Sequence, residues 1–559
     1  MYFIPVINPD GYVYNEQENP DGGGLWRKNR RDNGGILDGY GVDLNRNYDY
    51  AFAWDDIGSG SFGQHPWYRG EYAFSEPETQ ATKFFLENHN ILLALNWHTY
   101  GDMLIYPWNY ENHLTADSVF YEILSEEMTI ENHYRSGTCY ETYGYQSNGD
   151  ADDWGYGETD TKNKIISLTG EAGNMDDGFW PDESRIEDIC RNTLRMNLAM
   201  AHLALPFARF TDLESYIINT PLGEFDFNIH CVGLSYPADF SVSFEALSDN
   251  IWFNESIVTF NNMQHMEIAN GSINYEINAE PGEFISYVVS VNNGMYSFKD
   301  TITKVFGYTE QLFYDDCESL DSWNANDWGV TNINPYEGNG CLTESPNSSY
   351  TILQSSELEP NQSFDLTGYS NVAANFMIRY KSENNYDYLE AFVSTDDGNS
   401  WQALCGRLSK IGTDDEDEGQ PVYHGNLPEW TFEEFILDDY IGETVRFKFR
   451  FKADQNNNYD GFYIDNFKIF AINPELVNIT DNNVKIISLH PNPAQETLIF
   501  SNQTHTSIAI EIYDVSGRQI KTINCNNGNN ELNIKDLNPG IYFWSAKSNK
   551  YLKGKFMVQ

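Results

Sequence analysis

Two residues have the types and positions to do acid–base or metal chemistry together, His98 and Glu171. His98 ends the apolar run Ile91 to Trp97, and Glu171 ends the run Lys164 to Gly170. Such runs predict strands covered on both faces, and open α/β sheets place their ligands at the carboxyl ends of such strands. An imidazole there can ligate a metal, and a neighbouring carboxylate can accept a proton from water. A histidine at a strand end also fits a purely structural role.

The elements that would position this pair belong to an α/β region over residues 1–207. Ser75-Glu76-Pro77-Glu78 reads as a capping box opening a helix, with proline tolerated in its first turn. Glu183 to Leu205 has the period of a long amphipathic helix. The opening residues, Met1 to Gly11, read as a buried strand entering a turn and lack the basic start and apolar stretch of a signal peptide. A chain that starts inside a core strand is expected to lack the front of its first domain. From about residue 211 the pattern changes to period two, as in Ile285, Tyr287, Val289 and Val291. Val445, Phe447, Phe449 and Phe451 alternate with Arg446, Lys448, Arg450 and Lys452, which puts one face in a core and four cations on the other. Tyr388 to Ser394 leads into the hairpin signal Asp396-Asp397-Gly398-Asn399. These patterns predict two β-sandwich domains, an immunoglobulin-like one at 211–310 and a jelly-roll-like one at 311–475. A separate module at 485–559 carries eight Lys and Arg against five Asp and Glu.

That last balance is unusual for this chain. Over all 559 residues there are 33 Lys and Arg against 84 Asp and Glu, a formal net charge of −51. Such a surface repels polyphosphate backbones and anionic lipid, which argues against nucleic acid as a partner. No apolar run reaches the roughly 18 residues of a membrane span. The seven cysteines form no Cys-x-x-Cys pair, so thiolate metal or redox chemistry is not indicated. Cys317 and Cys341 are near enough in sequence to pair in an oxidising compartment or to remain free thiols. The run Asp414 to Glu418 reads as a solvated loop, with a calcium site in this accessory domain as the alternative.

Residues 1 to about 205 closely resemble the zinc carboxypeptidases of the carboxypeptidase A and T type. The resemblance rests on ordered motifs: Asn8-Pro9-Asp10-Gly11-Tyr12, Leu25 to Arg30, Gly41 to Asn47, Tyr68-Arg69-Gly70, Phe74 to Thr79, His98-Thr99-Tyr100-Gly101, Tyr145 to Trp154, Glu171, and Gly178-Phe179-Trp180-Pro181. It implies a mixed-sheet α/β domain that removes C-terminal residues from peptides with one Zn²⁺. By the same resemblance His98 is a zinc ligand, Glu171 the general base and Arg27 the group that stabilises the oxyanion. Asn45 and Arg46 would receive the substrate's terminal carboxylate, and Tyr145 would close over it. Asp150 and Asp152 fall where the family lines its specificity pocket. A carboxylate there would favour basic terminal residues, while capping a turn or facing solvent are the alternatives. The family's other two ligands come from a His-x-x-Glu motif, and none of the eleven histidines is followed three residues later by Glu. Two ligands are therefore expected upstream of Met1, and this polypeptide by itself is expected to be inactive, since catalytic zinc sites use three protein ligands.

Residues 485–559 resemble the C-terminal sorting domain of the type IX secretion system of Bacteroidetes-type bacteria. The motifs are His490-Pro491-Asn492-Pro493-Ala494, Ile510 to Arg518, Leu537 to Phe543 and Lys555 to Gln559. The resemblance implies export across the outer membrane by that machinery, to the medium or the cell surface. The stretch Tyr459 to Phe467 looks like the jelly-roll domains appended to secreted bacterial proteases, which fits either adhesion to polymer or glycan or a spacer role. Two functions are thus expected of the whole: a secreted zinc metallocarboxypeptidase, or a secreted adhesion or polymer-binding protein with a degenerate peptidase region.

Overall fold

In the computed structural model all residues are described except 36–38, 255, 475–486, 503–506, 516, 548–552 and 559. The expected boundary between 475 and 485 therefore lies outside the described residues, as do Ser516 and Gln559 of the sorting motifs.

The first region is α/β. Its helices are α1 (Pro9–Glu18), α2 (Pro77–Glu87), α3 (Ser118–Thr129), α4 (Cys139–Tyr143), α5 (Ala151–Gly157) and α6 (Ile186–Leu203). Its central sheet has four strands, β1 (Leu93–His98), β2 (Met103–Ile105), β3 (Arg135–Gly137) and β4 (Ile166–Glu171), in the order β1-β4-β2-β3. β1 and β4 run parallel in a register that sets Leu93 opposite Ile166 and His98 opposite Glu171. β2 runs antiparallel to β4 and parallel to β3, so the sheet is mixed.

α6 forms where the apolar period is strongest: Thr193, Met196, Ala199, Met200 and Leu203 share one buried stripe, and Glu187 and Asp188 sit in the first turn, where the helix dipole favours carboxylates. That stripe packs with Phe120, Tyr121, Leu124 and Met128 of α3 and with Leu168 of β4 in one core. No described helix is long and apolar enough to cross a membrane.

The remainder is strand-rich, as its period-two sequence predicts. A five-stranded and a four-stranded sheet, built from strands between Ala208 and Phe306, enclose a core that includes Phe225, Phe227, Phe244 and Tyr287. Strands between Thr309 and Ile472 form two six-stranded sheets around a larger core. Here Val445, Phe447, Phe449 and Phe451 are fully buried on one face of Thr444–Lys452. The opposite face pairs its cations, Arg446 with Glu359, Lys448 with Glu357 at 2.8 Å and Arg450 with Glu390 at 2.7 Å. The last described strands, between Ile487 and Val558, make a three-stranded and a four-stranded sheet.

Several expectations need correction. Residues 1–7 form no strand and are mostly exposed; Tyr2 rests its ring on Phe85 and His89 at 5.1 and 5.3 Å. These contacts set the start of the segment beside the C-terminal end of α2 rather than in the sheet. β1 is not covered on both faces: none of its residues is fully buried, because it is an edge strand. The capping box at Ser75 does not close. Glu76 is the N-cap of α2, and its carboxylate accepts from Asn29, Arg31 and Ser75 instead. The run Asp414 to Glu418 is not simply solvated: Asp414 and Asp415 pair with Arg135, Glu416 is buried against His424, and Asp417 lies 3.0 Å from Arg450. All seven cysteines are free, Cys317 and Cys341 included.

Candidate active site

The parallel register of β1 and β4 brings both strands' carboxyl ends to one edge of the sheet, and this unites the two residues that stand out in the sequence. His98 Nδ1 lies 4.0 Å from Glu171 Oε1. Period two places Asn96 with His98 on one strand, and Ser167 and Thr169 with Glu171 on the other, so one sheet face is polar at its carboxyl end.

Glu171 is buried and its Oε2 has no hydrogen-bond partner. Burial pushes its carboxyl up to about 7, opposed by the positive charge of Arg27 and a hydrogen bond from Tyr143. The His98 imidazole is held toward its neutral form, first by desolvation and then by Arg27. A neutral imidazole with a free lone pair is what a metal ion requires.

Arg27 reaches the site from the loop after α1. Its guanidinium pairs with Asp43 at 2.9 Å, and that carboxylate is the main cause of its raised pKa. Asp43 also caps the turn Leu44–Arg46 by accepting from the Asn45 amide. Asn45 Oδ1 accepts from the Ala151 amide at 3.0 Å, tying this turn to the start of α5. Arg46 is buried, with Nε donating to the Gly58 carbonyl at 2.9 Å and Nη1 to the Asn45 carbonyl at 2.7 Å. Among the described residues no carboxylate forms an ion pair with Arg46. A buried guanidinium held only by neutral carbonyls keeps its charge available to an incoming anion.

Tyr145 is half exposed and stacks on Tyr143 with ring centroids 5.3 Å apart. Asp150 is the N-cap of α5: its Oδ1 accepts from the amides of Asp152 and Asp153, so the turn-capping alternative holds for it. Asp152 is buried beneath the site. Its oxygens accept from Asn96, Ser167 and Thr169 at 2.8, 2.8 and 2.6 Å. Burial, then the charge of Asp150, pushes it up to about 7.

Three features escape sequence reasoning. Tyr143 donates to the Tyr100 carbonyl at 2.7 Å and adjoins Glu171, and nothing in its sequence setting signals this. Asp43 holds Arg27 across a loop. The cradle of Asn96, Ser167 and Thr169 did have a signal, polar residues at alternate positions of apolar strands.

The donors for a metal are incomplete within these residues. His98 offers one imidazole. One group of three acidic donors whose ligand atoms lie within 4.8 Å of one another is Glu383, Asp387 and Asp454, in the second sandwich and without His98. A catalytic zinc uses three protein ligands, so the described residues do not by themselves fit that ion.

Comparison with known proteins bears on this geometry. Residues 1–196 match the family model "Zinc carboxypeptidase", residues 355–485 match "Immune inhibitor A-like, MAM domain", and residues 488–559 match "Secretion system C-terminal sorting domain". Carboxypeptidase B of Bos taurus is 33% identical over 202 residues, covering 35% of this chain and 46% of the bovine protein. Carboxypeptidase B of Astacus astacus is 31% identical over 193 residues, covering 33% of this chain and 61% of the crayfish protein. Among solved structures, bovine thrombin-activatable fibrinolysis inhibitor in complex with tick carboxypeptidase inhibitor shares 28% identity over 35% of this chain and 66% of that one, with a TM-score of 0.31. The chain spans about half the length of the curated relatives it matches. A carboxypeptidase-like domain is thus followed by a strand-rich region ending in a secretion sorting domain.

Proposed function

We propose that this chain carries part of the active site of a secreted zinc metallocarboxypeptidase, which removes residues from the C-termini of peptides. The observation that carries the reading is the pairing of His98 with Glu171 at the strand ends, beside an Arg46 guanidinium without a carboxylate partner.

Each residue has a role that its surroundings support. Arg46 binds the substrate's terminal carboxylate, with Asn45 beside it, which restricts cleavage to chain ends because an internal peptide bond carries no such charge. Arg27, fixed by Asp43, offers a cation for the negative charge that develops on the scissile carbonyl oxygen. Glu171, with a carboxyl pushed up to about 7, takes a proton from water near neutral pH and passes it to the leaving amine. Tyr145 covers the bound terminus. Asp152, buried beneath the site with its oxygens held by Asn96, Ser167 and Thr169, gives the subsite a preference for Lys or Arg, whose positive charge would favour the ionised carboxylate that burial and Asp150 oppose.

Zinc, with His98 as one ligand, would supply Lewis acidity when bound. One imidazole cannot retain such an ion, so the 559-residue polypeptide by itself is expected to release no amino acid. Calcium has no need to sit at Asp414 to Asp417, whose carboxylates are engaged by Arg135, His424 and Arg450. The sorting-domain match supports export by the type IX machinery to the medium or the cell surface.

The incomplete donor set also favours a second reading, a secreted non-catalytic protein that binds polymer through its sandwiches. Zinc analysis together with hydrolysis of hippuryl-arginine separates the two. Hydrolysis that appears when two further donors complete the His98 site supports the peptidase. A completed site that binds zinc yet leaves hippuryl-arginine intact supports the other.

A further inference from the structure

The sandwich of residues 309–472 meets the carboxypeptidase-like region along β3, and the contacts converge on one side chain. The side-chain amides of Asn384 and Asn385 both donate to the Ser136 carbonyl, at 2.8 and 2.9 Å. Beside them Arg135 pairs with Asp415 at 2.7 Å and with Asp414, and its guanidinium lies 5.5 Å from the Tyr386 ring centroid. Its side chain keeps only 9% exposure. On its other side Nη1 donates to the Thr142 carbonyl of α4 at 3.4 Å. Lys410 and Glu126 of α3, 3.4 Å apart, extend the seam.

The element on the far side of Arg135 has little stability of its own. α4 is five residues long, too short to persist without tertiary support. A capping box between Thr138 and Glu141 fixes its start, and Gly144, at φ 72°, ends it. Tyr143, its last residue, is anchored on the Tyr100 carbonyl and stacks on Tyr145. The direction of that tyrosine pair is therefore set by α4, and α4 is joined to the sandwich through Arg135.

We propose that Arg135 is a positioning residue, through which the accessory sandwich holds α4 and hence the Tyr143–Tyr145 pair over the site. Its functional meaning rests on the reading of Tyr145 as the residue that covers bound substrate. The mechanical coupling between sandwich and tyrosines stands without that reading. The sandwich is then a working part of the peptidase region, in addition to whatever it binds elsewhere on its surface.

Hydrogen exchange on the full 559-residue chain tests this without substrate or metal. In Arg135→Ala, and in the double variant Asp414→Asn with Asp415→Asn, amides of residues 139–149 are expected to exchange about tenfold faster, the size of a lost charge-assisted contact. Strands Tyr388–Ser394 and Thr444–Lys452 should keep their protection, and Arg135→Lys should recover much of the loss at 139–149. The double variant alters two partly exposed side chains, so it remains informative if Arg135→Ala does not fold. Unchanged exchange at 139–149 in the double variant would overturn the proposal. So would acceleration spread evenly over both regions, or Arg135→Lys behaving like alanine. Because exchange is read without turnover, its failure leaves the peptidase reading standing, and an inactive completed enzyme leaves the coupling standing.

Discussion

The four-stranded sheet has two edges, and they are finished differently. At β3 the sandwich supplies two amides to the Ser136 carbonyl and two carboxylates to Arg135, so the edge is closed from within the chain. At β1, the strand that carries His98, no described strand pairs with the outer edge, and Trp97 keeps 38% exposure. An open edge presents unpaired backbone groups and half-buried side chains, the features of a strand that accepts a partner. The contrast separates two kinds of support in one sheet: the closed side carries the Tyr143–Tyr145 pair through α4, and the open side carries His98.

Truncation experiments would sharpen this contrast. Phe449→Ala, in the closed sandwich core where the ring is fully buried, should cost about 3–5 kcal/mol. Leu95→Ala, on half-buried β1, should cost about 1–2 kcal/mol, because part of its surface is already in water. Denaturant unfolding followed separately in the two regions would read both. Equal losses would mean that β1 is as well packed as the sandwich and that the comparison fails.

A smaller, pH-dependent effect should appear in both regions. Asp152 in the α/β region is pushed up to about 7, and Glu344 in the sandwich, buried against the Phe462 amide, up to about 8. A carboxyl whose folded pKa lies above its unfolded value makes the folded state bind more protons, so its contribution to stability falls as pH rises from about 4 through the folded pKa. Melting temperature should therefore be higher at pH 5 than at pH 8. Asp152→Asn should flatten the dependence of the α/β region, and Glu344→Gln that of the sandwich. A protein more stable at pH 8, or a dependence unchanged by both substitutions, would contradict these assignments.

Where a residue's neighbours are close in sequence, or where one face of a strand is uniformly apolar, the structure was legible in advance. Tyr388–Ser394 is a strand over the residues read from the sequence, and the alternation across Thr444–Lys452 sorts into core and cations as expected. His98 and Glu171 could be placed at strand ends, but only the pairing register brings them together. The missed features depend on distant parts of the chain. Ser75 forgoes a local capping box to donate to Glu76, whose carboxylate is held by Asn29 and Arg31 from more than 40 residues away in sequence. The acidic run at 414–418 looks like a solvated loop until Arg135 arrives from another region. Long-range charge pairing leaves no period in a sequence, which is why patterning could not reveal it.

The reading of Glu171 as the base that takes a proton from water is tested most directly by one rate comparison. In a polypeptide that adds two donors to His98 and binds zinc, the hydrolysis of hippuryl-arginine is measured with Glu171 and with Glu171→Gln. The expected result is a loss of about 10²–10⁴-fold, the usual contribution of a general base. Equal rates, with zinc bound in both proteins, would contradict it.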